Sequence, residues 1–155
     1  MTMPSVAIPT LVPIADLEVM VAAPIVIGET PAGVRRVIPI TGGTITGRIN
    51  GRVQAGGADF QILRRDDVTE LEARYVIETD EGLVYVVNNG LRTGPKDVMD
   101  ALARGELVDQ ALIYFRAIPR FETAVPSLQW LTKRLFICAG ARLPDRVVLR
   151  FFELQ

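Results

Sequence analysis

From Leu11 onward, apolar and polar side chains alternate in short runs separated by tight polar turns. Leu17–Val21 reads as a strand with Glu18 facing solvent, and beyond Pro24, Ile25–Ile27 is either its extension or a second strand. Arg35–Ile40 is a further strand ending before Thr41-Gly42-Gly43. Residues 44–54 follow, with Gly47 marking a bend and Asn50-Gly51 a tight turn. In Ala58–Arg65, Phe60 and Ile62 share one face, and Asp59, Gln61 and Leu63 share the other. Asp66-Asp67 turns the chain into Leu71–Glu78, and Asp80-Glu81-Gly82 turns it again into Leu83–Val87. Ala111–Thr123 is another strand, with Tyr114, Arg116 and Ile118 on one face and Pro119 expected to break its ladder. Leu135–Ala139 and Arg146–Leu154 complete the series.

One segment changes period. Thr93 or Gly94 can cap a helix with Pro95 in its first turn, and Val98, Met99 and Leu102 form an apolar stripe that ends at Gly105. Such a helix lies on the sheet or plugs one end of it. Eight to ten strands joined by hairpins, with one helical crossover, predict an antiparallel sheet. The expected fold is mainly β, an up-and-down β-barrel, with a sandwich as the alternative. Residues 1–10 form an N-terminal arm and 11–155 a single barrel domain. A barrel of about eight strands has room for one small ligand.

Composition narrows the chemistry. The 155 residues carry 17 basic and 18 acidic side chains and a net charge of −1, without the clustered positive charge that nucleic acid requires. There is no histidine, so a histidine base, a Ser-His-Asp triad and a histidine-bearing zinc site are excluded within the chain. The single cysteine, Cys138, cannot form an intrachain disulfide and reads as a small buried hydrophobe. No acidic spacing suggests a metal, no Gly-Lys-Ser/Thr motif suggests a phosphate loop, and no cofactor is expected. The apolar N-terminus lacks a basic region, and no run is long enough to span a membrane, so a cytoplasmic location is expected.

Polar residues inside strands remain as the candidate chemistry. Glu72 and Arg74 share a strand face, as do Tyr114 and Arg116; Asn88, Asn89 and Arg92 end the Leu83 strand. Asp59 follows a double glycine, and Glu122 and Trp130 flank a late turn. Each could instead be an ordinary surface ion pair or core side chain. If they converge, arginine binds an anion by paired hydrogen bonds, tyrosine and a partly buried carboxylate move protons, and tryptophan stacks on a ring.

The segments GGADF, ARYVIETDEG, YFRAIPRFET and WLTKRLF together resemble the domain-of-unknown-function 3237 family, also called uncharacterised protein family 0311. The resemblance runs from about Leu17 to the end and implies a calycin-like antiparallel barrel. It also implies a tilt toward cofactor-independent lyase or decarboxylase chemistry on aromatic compounds. The family-like polar positions are Asp59, Arg74, Asn89, Arg92, Tyr114, Arg116, Glu122 and Trp130; Phe60 and Leu128 depart from the family pattern.

The expected function is a cofactor-independent lyase, decarboxylase or isomerase acting on a small aromatic or carboxylated compound. Arg74 and Arg116 would anchor the anion, and Asn89, Arg92 and Glu72 would also contact the substrate. Tyr114, with Asp59 or Glu122, would move protons, and Trp130 would line the pocket. The alternatives are a non-catalytic ligand-binding barrel and a structural domain with a filled interior. Exposed edges make a homodimer the expected assembly.

Overall fold

A computed structural model describes all residues, 1–155. It contains ten strands: β1 (Leu11–Val21), β2 (Ile25–Thr30), β3 (Gly33–Gly47), β4 (Gly51–Val53), β5 (Ala58–Leu63), β6 (Val68–Thr79), β7 (Gly82–Thr93), β8 (Tyr114–Thr123), β9 (Leu135–Arg142) and β10 (Arg146–Leu154). One helix, α1 (Lys96–Ala103), and two short 3-10 turns complete it. Residues 1–10 have no regular secondary structure.

Every strand pair is antiparallel, and the sheet closes on itself. β6 to β10 are neighbours in chain order, β10 pairs with β1, and β1 pairs with β3. β4 and β5 both bridge β3 to β6, which completes the ring. The result is a closed eight-strand barrel with two extra strands. The expected barrel is therefore correct, and the sandwich is set aside.

β3 is long because it serves two sets of neighbours. Its first half pairs with β2 and β5, and its second half pairs with β1 and β4. The switch occurs at Gly42-Gly43. A Cβ on Gly43 would lie 2.1 Å from the Glu18 carbonyl oxygen, so only glycine permits so close an approach of β1.

Three local expectations differ from the structure. The helix begins after Pro95, which takes the cap position, while Thr93 ends β7. Ala111 and Leu112 lie in a 3-10 turn, and β8 starts at Tyr114. Pro119 does not break its strand, because β7 pairing and the in-out alternation continue to Thr123. The reason is local: β8 pairs with β9 only at Arg116 and Ala117, so Pro119 lies beyond the stretch where that side needs a donor.

The barrel interior divides into two halves. In one, Phe121 packs edge-on against Phe136 and Phe151, with centroids 5.1 and 5.7 Å apart, amid Leu17, Ile45, Ile77, Val84 and Leu131. Truncating one of these rings would cost about 3–5 kcal/mol. Beyond this end, Glu153 is buried but sits 3.5 Å from Arg48 and 3.9 Å from Arg134. In the other half the inward positions turn polar. There α1 and the turn after it lie over the barrel, held by a 3.1 Å bond from Arg36 Nη1 to the Ala103 carbonyl and a 2.9 Å bond from Gln110 Nε2 to the Arg142 carbonyl.

Candidate functional site

Strand parity decides which polar residues meet. On β6 the inward set is Thr69, Leu71, Ala73, Tyr75, Ile77 and Thr79. On β7 it is Val84, Val86, Asn88, Gly90 and Arg92. β5 turns Asp59 and Gln61 inward, β3 contributes Arg36, and β9 contributes Arg142. Three arginines, one aspartate, a glutamine, an asparagine and a tyrosine therefore occupy one half of the barrel.

These groups form a partly connected network. Arg36 Nε donates to Gln61 Oε1 at 2.8 Å, and Gln61 Nε2 donates to Asp59 Oδ2 at 2.6 Å. The other Asp59 oxygen accepts from the Glu72 backbone N–H at 2.9 Å. Asp59 keeps some residual surface, yet its carboxyl is densely enclosed. Burial raises its pKa above the ordinary aspartate value; Gln61, Arg92, the Glu72 N–H and Arg36 act against the rise. Arg142 spends one nitrogen on the carbonyls of Leu143 and Arg146.

Arg92 is the exception. It is 2% exposed, yet its guanidinium donates to no protein group, and its Nε is buried without a partner. Its guanidinium carbon sits 5.3 Å from the centre of the Phe115 ring. Burial lowers its pKa to about 10, so it stays charged at neutral pH. None of Arg36, Arg92 and Arg142 has a carboxylate within ion-pair distance. Three buried cations facing one carboxylate leave an excess of positive charge, which is costly without an added anion.

A cavity of about 50 Å³ lies beside these groups. Asp59, Tyr75, Asn88 and Arg92 supply its polar wall; Val19, Val21, Ile40, Leu71, Ala73, Phe115, Ala117, Val147 and Leu149 supply the rest. Tyr75 Oη and Asn88 Oδ1 are also buried without hydrogen-bond partners. Burial holds the Tyr75 phenol well above its usual pKa, so it is neutral. Cys138 lies behind Asn88; burial pushes its thiol up to about 12, which makes it inert as a nucleophile.

Gly90 shapes this wall. It pairs with Ala117 on β8, and a Cβ there would lie 2.2 Å from the Arg116 carbonyl oxygen and 2.5 Å from the Ala117 Cβ. Any side chain would push β8 outward and move Phe115 and Ala117, both of which line the cavity.

Of the nine residues expected to act, Asp59 and Arg92 reach this cavity, and the others lie elsewhere. Arg74 points outward and forms a half-exposed ion pair with Glu72 at 3.2 Å. Arg116 is exposed and donates to the Phe115 carbonyl at 2.9 Å. An interior anion clamp built from Arg74 and Arg116 is thus not assembled, because both lie on the solvent face of their strands. Tyr114 and Glu122 share that outer face of β8, and Asn89 shares that of β7. Tyr114, Arg116 and Asn89 line an open exterior trough of about 500 Å³ with Leu91, Ile118 and Ile137. Trp130 packs beside Phe136 at the opposite end of the barrel, with the Arg48 guanidinium 3.8 Å from its ring centre. A wider surface trough of about 600 Å³ runs along β1 and β10, but its arginine, Arg150, is already paired with Asp16 at 2.6 Å.

Arg36, Gln61, Tyr75 and Arg142 are not among the candidates that the sequence singles out, and Asn88 is named there without a role. The signal was present: Asn88 and Arg92 fall in step with the apolar Val84 and Val86, and Gln61 falls in step with Asp59. A polar residue on the apolar face of a strand marks the interior better than a charge pair on its polar face.

The barrel matches known proteins over nearly its full length. The family described as "Protein of unknown function (DUF3237)" matches residues 9–154. This chain belongs to the DUF3237 family. Within it, the chain is 49% identical over 129 residues to a UPF0311 protein of Bradyrhizobium diazoefficiens, covering 83% of this chain and 85% of that one. The crystal structure of a conserved protein of unknown function from Rhodopseudomonas palustris superposes with a TM-score of 0.91 at 42% identity, covering 97% of this chain and 100% of the other. A beta-barrel like protein from Acinetobacter baumannii superposes at 0.85 with 34% identity, covering 97% and 99%. A structure described as an enzyme from Penicillium herquei shares the fold at a TM-score of 0.70, covering 99% and 100%, but only 14% identity. The DUF3237 barrel here has no helix long and apolar enough to cross a membrane.

Proposed function

We propose that the barrel binds a small carboxylated molecule in its interior, with Arg92 as the anion anchor, and catalyses cofactor-independent proton transfer through Asp59. The observation that carries this reading is the buried guanidinium of Arg92, charged and without a hydrogen-bond partner, beside a cavity. A carboxylate placed there would accept from Arg92 and offset the excess charge of Arg36 and Arg142. Asp59 has the environment of a general acid or base: a carboxyl with a raised pKa, fixed by Gln61 and the Glu72 N–H. Proton transfer of this kind serves isomerisation, elimination or decarboxylation.

Volume favours the smaller end of the expected substrate range. An engineered apolar cavity that admits benzene measures roughly 150 Å³, about three times the space here. A short-chain acid fits the closed barrel, whereas an aromatic acid requires a cavity wall to move outward.

The test is hydrogen exchange in D2O. Short-chain carboxylic acids are incubated with the protein, and proton NMR follows the signals next to the carboxyl group. The wild type is expected to exchange those protons, and Asp59→Asn to bind the same acids without exchanging them. Saturable binding with no exchange in the wild type would make the protein a non-catalytic binding barrel. No binding at all would overturn the reading.

A further inference from the structure

We propose that Tyr75 and Asn88 together recognise a hydroxyl group on the ligand, so that the molecule taken up is a hydroxylated acid rather than a simple one. This rests on the reading that Arg92 anchors an anion in the same cavity. Two further polar atoms in that cavity are buried and unpaired: Tyr75 Oη and Asn88 Oδ1. Tyr75 is 3% exposed and Asn88 5% exposed, so bulk water does not satisfy them.

The two atoms are complementary to one partner. Asn88 Oδ1 can only accept, and Tyr75 Oη can donate. A ligand hydroxyl would donate to Asn88 and accept from Tyr75, satisfying both with one group. A ligand carbonyl would accept from Tyr75 but leave Asn88 Oδ1 unpaired, and a methyl group would leave both unpaired. Register brings the two together. Tyr75 pairs with Val86, and Asn88 is two residues beyond Val86 on the same inward face, a diagonal neighbour across β6 and β7. The Asn88 amide also lies against Cys138, which limits its freedom to turn.

Placement relative to Arg92 sets the shape of the ligand. Asn88, Gly90 and Arg92 lie at successive inward positions of β7, which separates the Asn88 and Arg92 Cα atoms by about 13 Å. Gly90 contributes no side chain between them. Both residues line the same cavity, so a ligand that reaches both carries its hydroxyl and its carboxylate at opposite ends.

A site built to hydrogen-bond a hydroxyl rejects the analogue lacking it, because its own polar groups are then left unpaired. Calorimetry with matched acids tests this: 4-hydroxybutanoate against butanoate, and 3-hydroxypropanoate against propanoate. The wild type is expected to bind the hydroxylated member of a pair about 30-fold or more tightly. In Tyr75→Phe that preference should fall to about 3-fold or less, while affinity for the plain acid changes little. Thermal unfolding supplies a second readout. Tyr75→Phe removes an unpaired buried hydroxyl and should raise the melting temperature of the ligand-free protein. A tyrosine hydroxyl bonded within the fold would lower it on removal and overturn the inference. Equal binding of both members of each pair by the wild type would also overturn it, leaving the Arg92 anchor intact. Failure of all four acids to bind, with no difference between wild type and Arg92→Met, would overturn the anchor and the hydroxyl preference together.

Discussion

The β6–β7 hairpin carries an arginine on each of its faces. On the outer face, Glu72 and Arg74 meet at 3.2 Å with about half of each side chain in water. On the inner face, Arg92 points into the barrel toward Asp59 of the neighbouring β5, with no carboxylate in ion-pair range. The outer pair is satisfied and screened by solvent, and contributes little to stability. The inner groups are enclosed and under-satisfied, which costs stability that packing elsewhere in the barrel must offset. An ion pair that is complete has no need of a ligand; a buried cation without a partner does. The difference comes from parity alone, since one residue along a strand exchanges the two faces.

Substitutions on the two faces should behave differently. The largest effect is expected from Arg92→Met, which should weaken binding of a small carboxylic acid roughly 100-fold by calorimetry. The same change should stabilise the ligand-free protein by about 1–2 kcal/mol in urea unfolding, because it removes an unpaired buried charge. Gly90→Ala comes next: the added methyl meets the backbone of β8, and a loss of about 2–3 kcal/mol of stability is expected. Asp59→Asn sets an amide N–H against either Gln61 Nε2 or the Glu72 N–H and should cost about 2 kcal/mol. Arg74→Ala should be the quietest, leaving both the urea-unfolding midpoint and acid affinity at their wild-type values.

Asp59 also predicts a pH dependence. Its folded-state pKa is raised, so the fold favours its protonated form. Its contribution to stability is present below the ordinary aspartate range and is lost as pH rises through the raised value. Anion affinity should move in the same direction, increasing as pH falls while the ligand stays ionised, because protonation removes a negative charge from the cavity wall. Asp59→Asn should flatten both profiles, as read by unfolding and by calorimetry across that range.

Much of the architecture was legible in the alternation. Asn50-Gly51 and Asp80-Glu81-Gly82 mark turns where the structure has them, and Leu71–Arg92 is indeed one hairpin. Local periodicity could not show that β3 serves two sets of partners, because that depends on how the barrel closes. Pro119 misled because its tolerance depends on where β9 stops pairing, which is a tertiary fact. The site was half legible. Asp59 and Arg92 were singled out, but Arg74, Arg116 and Tyr114 drew attention as charged or aromatic residues in strands although their neighbours on the same face are polar or exposed. Arg36 and Arg142 could be placed only by the closed barrel, which brings β3 and β9 to the same end beneath α1.

The central claim is that the unpartnered guanidinium inside the barrel is the anion site and the paired one outside it is not. Calorimetric titration of a short-chain hydroxy acid into wild type, Arg92→Met and Arg74→Met at one ionic strength tests it most directly. The prediction is saturable binding by wild type and Arg74→Met with matching affinity, and a loss of about two orders of magnitude in Arg92→Met. Unchanged affinity in Arg92→Met, or a comparable loss in Arg74→Met, would contradict it.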